Sequence, residues 1–193
     1  MKKLNLDGDH VFVIQDFLSA QECGEFVALA ESIGFADAPI TTPTGFVISK
    51  DVRDNQRAML DDGPLAARWY ARLAEFMPPE CLHARVCGLN ERFRFYRYDV
   101  GQMFDAHLDG SFRRSQSEES LFTFMIYLND GFKGGETNFY DLAKGELRLR
   151  LAVHPEVGKA LVFWHDQLHE GAPVRQGRKY VVRSDVMYRQ VGS

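Results

Sequence analysis

In the segment FDAHLDGSF, residues 104–112, His107 and Asp109 stand two positions apart. On an extended chain both side chains leave on the same side. A strand edge in water or a buried His–Asp pair would explain them blandly; a metal site lacking its third ligand would explain them chemically. The chain holds six histidines, and two of them, His165 and His169, lie in LVFWHDQLHEGAPV, directly after an apolar strand. Either one would complete a set of two histidines and one carboxylate on one face of an ion. That arrangement leaves coordination positions open and suits non-haem Fe(II) that must also bind a cosubstrate and O2. His165 and His169 at i, i+4 could equally be a helical ligand pair, so the residues alone leave the third ligand open. His10, His83 and His154 read as surface or packing residues.

The elements that must position these ligands change character near residue 84. Before it, HVFVIQDF reads as a short strand. Ser19 then caps a helix with Glu22 three residues on, a capping box, and the helix runs through CGEFVALAESIG to stop at Gly34. Residues 39–57, with Pro39, Pro43 and Gly45, read as irregular or hairpin-like. A second helix, GPLAARWYARLAEFM, has Pro64 in its first turn and ends at Pro78–Pro79. Beyond residue 84 come RFRFYRYD, LFTFMIYLND, ETNFYDL, GELRLRLAV, GKALVFWH and RKYVVRSDVMYR, short aromatic or β-branched segments between turn residues. Helices first and strands afterwards indicate an α+β chain. Its strand half has the content of a jelly-roll or cupin-like double sheet.

At 193 residues the chain reads as a single domain, 1–193, with N-terminal helical support over about 1–83 and a β core over about 84–190. A formal net charge of −4 offers nothing to a nucleic acid through bulk electrostatics. MKKLNLDGDH starts basic but never reaches an apolar h-region, and no apolar run is long enough to span a bilayer. Three cysteines, Cys23, Cys81 and Cys87, form no framework and read as reduced thiols. These features together point to a cytoplasmic protein with no membrane partner. Its oligomeric state is not legible.

Three segments, YDVGQMFDAHLDG, YLNDGFKGGETNF and LHEGAPVRQGRKYV, resemble in order the core motifs of the prolyl 4-hydroxylase-like Fe(II)/2-oxoglutarate dioxygenases. VIQDFLSAQEC resembles that family's first strand and helix, so the resemblance covers about residues 11–188. It implies a double-stranded β-helix with N-terminal helices packed on one outer side. It also implies a hydroxylase that uses Fe(II), 2-oxoglutarate and O2, with ascorbate as a candidate reductant, and releases succinate and CO2. By position in the motifs the metal ligands and catalytic residues are His107, Asp109 and His169. The family's G-x-K pattern matches Lys179, ten residues past His169, as the cation for the cosubstrate's distal carboxylate. Arg178 is the alternative, since related oxygenases place an arginine nine residues on. Thr123 matches a family hydroxyl that helps hold that carboxylate, with Tyr127 on the same face, and Tyr98 matches the tyrosine opening the iron-binding motif. GGET reads as a turn with close strand packing.

Substrate identity is where this sequence departs from the pattern. Peptidyl-prolyl members carry an aromatic residue six positions after the lysine, and here that position is Asp185. Alternation from Lys179 turns Val181, Arg183 and Asp185 inward, as an ion pair or as readers of a polar substrate. In NERFRFYRY, Arg92 and Arg94 share a side with Tyr98, which makes an anionic or carboxylate-bearing substrate attractive. The resemblance also hints that Asn55 and Arg57 reach the pocket mouth, and the polar segment 111–120 is placed to act as a lid or to lie as a plain surface loop. A peptidyl residue is the leading substrate expectation and a small polar metabolite the next. The rival readings are a catalytically inactive β-helix binding module and a cupin-type metal dioxygenase without 2-oxoglutarate.

Overall fold

The computed structural model describes residues 1–42 and 45–191; Pro43, noted above, lies outside the described residues. The Ser19 capping box forms as expected. Glu22 N donates to Ser19 Oγ at 3.2 Å and Ser19 N to Glu22 Oε2 at 2.8 Å, opening helix α1 (Ala20–Ile33). Gly34 ends it at φ +88, a backbone conformation that side chains disfavour. Helix α2 (Gly63–Leu73) starts from Asp62, whose carboxylate accepts from Leu65 N at 2.8 Å, with Pro64 in the first turn. It is shorter than expected, because residues 74–76 tighten into a 3-10 turn.

The large sheet is antiparallel and runs Lys2–Asp7, Val11–Gln15, Ala160–Trp164, Glu118–Tyr127, Lys179–Gln190, Arg92–Tyr98, Gln56–Asp61, Ala36–Asp37. The second sheet runs Phe104–His107, His169–Gly171, Thr137–Ala143, Glu146–Val153. Two corrections follow. Lys2–Asp7 and Gln56–Asp61 are strands where no strand was expected. The region before residue 84 is not only helical support, since it contributes strands to the same sheet as the later segments. As the hairpin-like reading of 39–57 expected, Ile40–Thr42 pairs antiparallel with Gly45–Val47, apart from both larger sheets.

Alternation divides the large sheet into two buried faces. On one, Phe12, Phe95, Phe122, Phe124, Val162 and Val182 share an apolar cluster with Cys23 and Ala30 of α1 and Leu65, Trp69 and Leu73 of α2. Trp69 meets Phe93 and Phe26 edge-on, with ring centroids 5.1 and 5.0 Å away. On the other face, Val11, Val13, Tyr96, Tyr127, Phe163 and Val181 pack with Phe139 and Val153 of the second sheet. Burial on both faces explains why VFVI and ALVF are continuous apolar runs rather than alternating ones. Among the described residues no helix is long and apolar enough to cross a membrane.

Candidate active site

The site lies between the two sheets. Phe104–His107 pairs with His169–Gly171, which sets His107 directly opposite His169 across a bulged register. The chain leaves the strand at Leu108, and Asp109 is held by its backbone N, which donates to His165 O at 3.1 Å. One ligand atom each from His107, Asp109 and His169 then falls within 4.8 Å of the others. His107 Nε2 is 3.7 Å from Asp109 Oδ1, and His169 Nε2 is 3.8 Å from Oδ2. Each imidazole is oriented from behind: His107 Nδ1 lies 2.7 Å from Asp105 O and His169 Nδ1 2.8 Å from Gln167 O. A carbonyl only accepts, so Nδ1 carries the proton and each Nε2 lone pair points into the site.

The electrostatics suit a divalent cation. Burial would raise the Asp109 carboxyl, but Arg183 and then the two histidines hold it well below the usual range. Burial lowers His169 to about 4, opposed by Asp109, so it stands neutral and able to ligate. His165, the rival, is buried with both ring nitrogens unpartnered among the described residues, and it is not in the cluster. It contributes its backbone carbonyl to Asp109 instead.

A polar relay stands behind the carboxylate. Thr123 Oγ1 donates to Asp109 Oδ2 at 2.6 Å, and Arg183 Nη1 lies 3.0 Å from Oδ1. Arg183 Nη2 reaches Thr123 Oγ1 at 3.3 Å and Asp185 Oδ1 at 3.1 Å. Asp185 in turn accepts from Asn90 Nδ2 at 3.2 Å and Arg94 Nη1 at 3.1 Å. Burial would lower the Arg183 guanidinium, but Asp109 and Asp185 more than reverse this and raise it. In the structure the Thr123 hydroxyl meets the Asp109 carboxylate, and cross-strand register puts Thr123 opposite Asp185, four residues along that strand from the residue facing Tyr127.

A cavity opens from the three ligands and is lined further by Tyr98, Met125, Thr137, Phe163, Lys179 and Arg183. Lys179 and Arg183 are four residues apart on one strand, hence roughly 13 Å at about 3.3 Å per residue. Lys179 is 2 % exposed; its Nζ donates to Gly135 O at 2.6 Å and lies 5.0 Å from the Tyr98 ring centroid and 5.7 Å from that of Tyr127. Burial lowers its pKa to about 7, with Glu136 pulling the other way. The Tyr127 hydroxyl lies 2.7 Å from that of Thr137, which also lines the cavity. Arg178 points outward and pairs with Asp99 at 2.5 Å, so of the two cations Lys179 is the one that lines the cavity. Gly135 does more than turn the chain: at φ +70 a Cβ there would sit 3.0 Å from Lys179 Cδ.

Outside this cavity an open groove carries the remaining arginines. Arg92 is at its exposed rim, held twice by Asp61 at 2.8 and 3.0 Å. Arg94 lies deeper, on Asp185. Asn55 is fully buried and accepts from Arg53 Nε at 2.8 Å. Arg53, unmarked by the sequence, stacks over Tyr96 and over Phe104, 4.6 and 4.2 Å from their centroids. Phe104 in turn stacks on His107 at 3.6 Å. The 111–120 segment is tied down by Arg114, which pairs with Glu91 at 2.7 Å and also with Glu118.

Residues 93–184 match the family model of the 2OG-Fe(II) oxygenase superfamily. Over that segment the chain is similar to the 2OG-Fe(II) oxygenases, and its curated relatives are prolyl 4-hydroxylases. Probable prolyl 4-hydroxylase 8 of Arabidopsis thaliana is 27% identical over 198 residues, covering 88% of this chain and 65% of its own length. Prolyl 4-hydroxylase 2 of the same plant is 27% identical over 88% of this chain and 64% of its own. The chain thus spans somewhat less than two thirds of these curated relatives. Solved structures share the oxygenase fold. A viral collagen prolyl hydroxylase from Paramecium Bursaria Chlorella virus-1, in complex with 2-oxoglutarate, superposes with a TM-score of 0.63 at 22% identity over 95% of this chain and 98% of that one. A prolyl hydroxylase from Trichoplax adhaerens, bound to a hypoxia-inducible-factor peptide fragment, gives 0.71 at 17% over 94% and 84%. The family uses Fe(II), 2-oxoglutarate and O2, and the His107–Asp109–His169 group fits iron in donor type and spacing.

Proposed function

We propose that this oxygenase hydroxylates an unactivated C–H of a polypeptide residue, converting 2-oxoglutarate and O2 to succinate and CO2 as one oxygen atom enters the product. The carrying observation is that a divalent-metal triad and a buried lysine without a carboxylate partner among the described residues line the same cavity. His107, Asp109 and His169 hold the iron, which when bound supplies O2 activation coupled to decarboxylation of the keto acid. Lys179 takes the distal carboxylate of the dianion, with Tyr98, Tyr127 and Thr137 completing its surroundings. A buried ammonium and a buried carboxylate are each costly alone and tolerable together. Thr123 and Arg183 fix the Asp109 carboxylate by occupying one oxygen each. Met125, Phe163 and Val181 keep water from the cavity walls.

A polypeptide substrate is supported by the names of the relatives and by the groove, which is open at the surface beside the ligands. A small polar metabolite is the alternative, and the proposed setting is the cytoplasm. The test is turnover with candidate peptides, with and without ascorbate. Succinate should appear in step with hydroxylated peptide, require Fe(II), and disappear in His169→Ala. Turnover that ignores 2-oxoglutarate would favour the cupin-type reading, and iron or cosubstrate binding without any turnover would favour the binding module.

A further inference from the structure

The groove beside the iron ligands is lined by five arginines, Arg53, Arg57, Arg92, Arg94 and Arg183, against two carboxylates, Asp109 and Asp185. Most of this charge is committed. Asp109 belongs to the metal and Arg183; Asp185 to Arg183 and Arg94. Arg92 is engaged by Asp61, and Arg53 by Asn55 and the Pro39 carbonyl. Arg57 is left over. It is half-buried, has no ion-pair partner among the described residues, and faces other guanidiniums.

Strand register explains its place. Arg57 pairs with Tyr96 and Met59 with Arg94 across neighbouring strands, so Arg57 and Arg94 are diagonal neighbours on one face, within reach of a shared ligand. Tyr96 lines both the cavity and the groove, so Arg57 stands one side chain away from the reaction site. Two electrostatic consequences mark an unmet need for negative charge. Burial, then the neighbouring Arg53 and Arg94, lower the pKa of Arg57 against the opposing pull of Tyr96. Burial would raise the Tyr96 phenol, yet Arg53, Arg183 and Arg94 bring it below its ordinary value. Iron on Asp109 would make the groove more positive still.

We propose that Arg57, with Arg94 beside it, anchors a carboxylate of the substrate, so that the oxygenase selects a polypeptide segment carrying Asp or Glu near the hydroxylated residue. The inference rests on the oxygenase reading above. A polypeptide fits better than a free acid because the groove lies open along the surface beside the three ligands. Its walls also offer exposed apolar surface at Phe46, Leu108 and Phe112, 75%, 58% and 37% exposed, to flank the acidic residue. A guanidinium presents the paired donors that a carboxylate matches.

The test uses the full chain loaded with Mn(II) and 2-oxoglutarate to select from a randomised octapeptide library. Wild type should enrich Asp and Glu at one position by roughly tenfold, the worth of one charge-assisted contact. Arg57→Gln should lose that enrichment, Arg57→Lys should keep part of it, and Arg85→Gln, on the remote surface, should keep all of it. Retention of 2-oxoglutarate, measured on the same samples, should be equal in all four. Absence of acidic enrichment in wild type, or enrichment that survives Arg57→Gln, overturns the proposal while retained 2-oxoglutarate leaves the oxygenase reading standing. Loss of 2-oxoglutarate retention in wild type overturns both. Displacement of bound peptide by N-acetylglutamate at the same concentration as by an acidic peptide would assign the anchor to a small acid and overturn the polypeptide assignment.

Discussion

The two faces of the large sheet are built from the same strands and do opposite work. Toward the helices, Phe122, Phe124, Val182 and Phe95 form a dry apolar layer around Trp69. One residue along each strand, Thr123, Met125, Arg183 and Tyr96 line the cavity and groove with hydroxyls and guanidiniums. The helix side is held by area, which is indifferent to which apolar groups supply it so long as they fit. The cavity side is held by specific pairings, each of which fails outright if one partner is removed. The comparison teaches that on this sheet stability and chemistry are separable by residue parity.

The largest effects should test that separation directly. Trp69→Ala removes a buried aromatic and should cost about 3–5 kcal/mol of unfolding free energy in denaturant titration, while the folded fraction keeps its iron affinity. His169→Ala should do the reverse, abolishing iron binding with little change in midpoint. If His169→Ala unfolds the chain as Trp69→Ala does, the two faces are not independent.

Lys179 sharpens the comparison because it is a charge set in the cavity wall. Lys179→Ala should weaken 2-oxoglutarate by roughly a hundredfold, the loss of about 3 kcal/mol of charge-assisted bonding. Its pH signature has a definite sign. The folded pKa of about 7 lies below the ordinary lysine value of 10.5, so between them the unfolded chain binds more protons and stability rises with pH across that window. Cosubstrate affinity should run the other way, falling as pH rises above about 7, since the dianion requires the ammonium. Lys179→Met should flatten both slopes, read by denaturation and by equilibrium binding.

Smaller effects come from the supports. Thr123→Val leaves Asp109 in place but frees one oxygen from its donor, and iron affinity should drop by about 10-fold to 100-fold, as for other groups that orient a ligand from behind. Asp62→Ala removes the cap of α2 and should cost about 1 kcal/mol with no change in metal or cosubstrate affinity.

What the sequence made legible follows the same division. His107, Asp109 and His169 could be picked out because few residue types ligate iron and the motif order fixed which histidine closes the set. Lys179 was marked by the resemblance's G-x-K pattern, with Arg178 left as the alternative, and the structure turns Lys179 into the cavity and Arg178 out of it. The bond from Thr123 to Asp109 was not legible because the partner of a strand hydroxyl depends on how the strands pack, which one strand cannot reveal. Thr137 and Gly135 come to the lysine from outside its own sheet, and no local pattern points there. The strand Gln56–Asp61 was hidden because one of its faces looks into the groove, so QRAMLD lacks an apolar period. Arg57 sits on that strand, which is why spacing could not say what it faces.

The central claim is that one cavity holds iron at His107, Asp109 and His169 and 2-oxoglutarate between that iron and Lys179. Anaerobic titration of the metal-free protein with Fe(II) and then 2-oxoglutarate, followed through the visible charge-transfer band of the chelate, tests it most directly. The account predicts a saturable band that is absent in His169→Ala and needs far more cosubstrate in Lys179→Ala. Iron binding with no band on adding 2-oxoglutarate, or a band unchanged in His169→Ala, would contradict it.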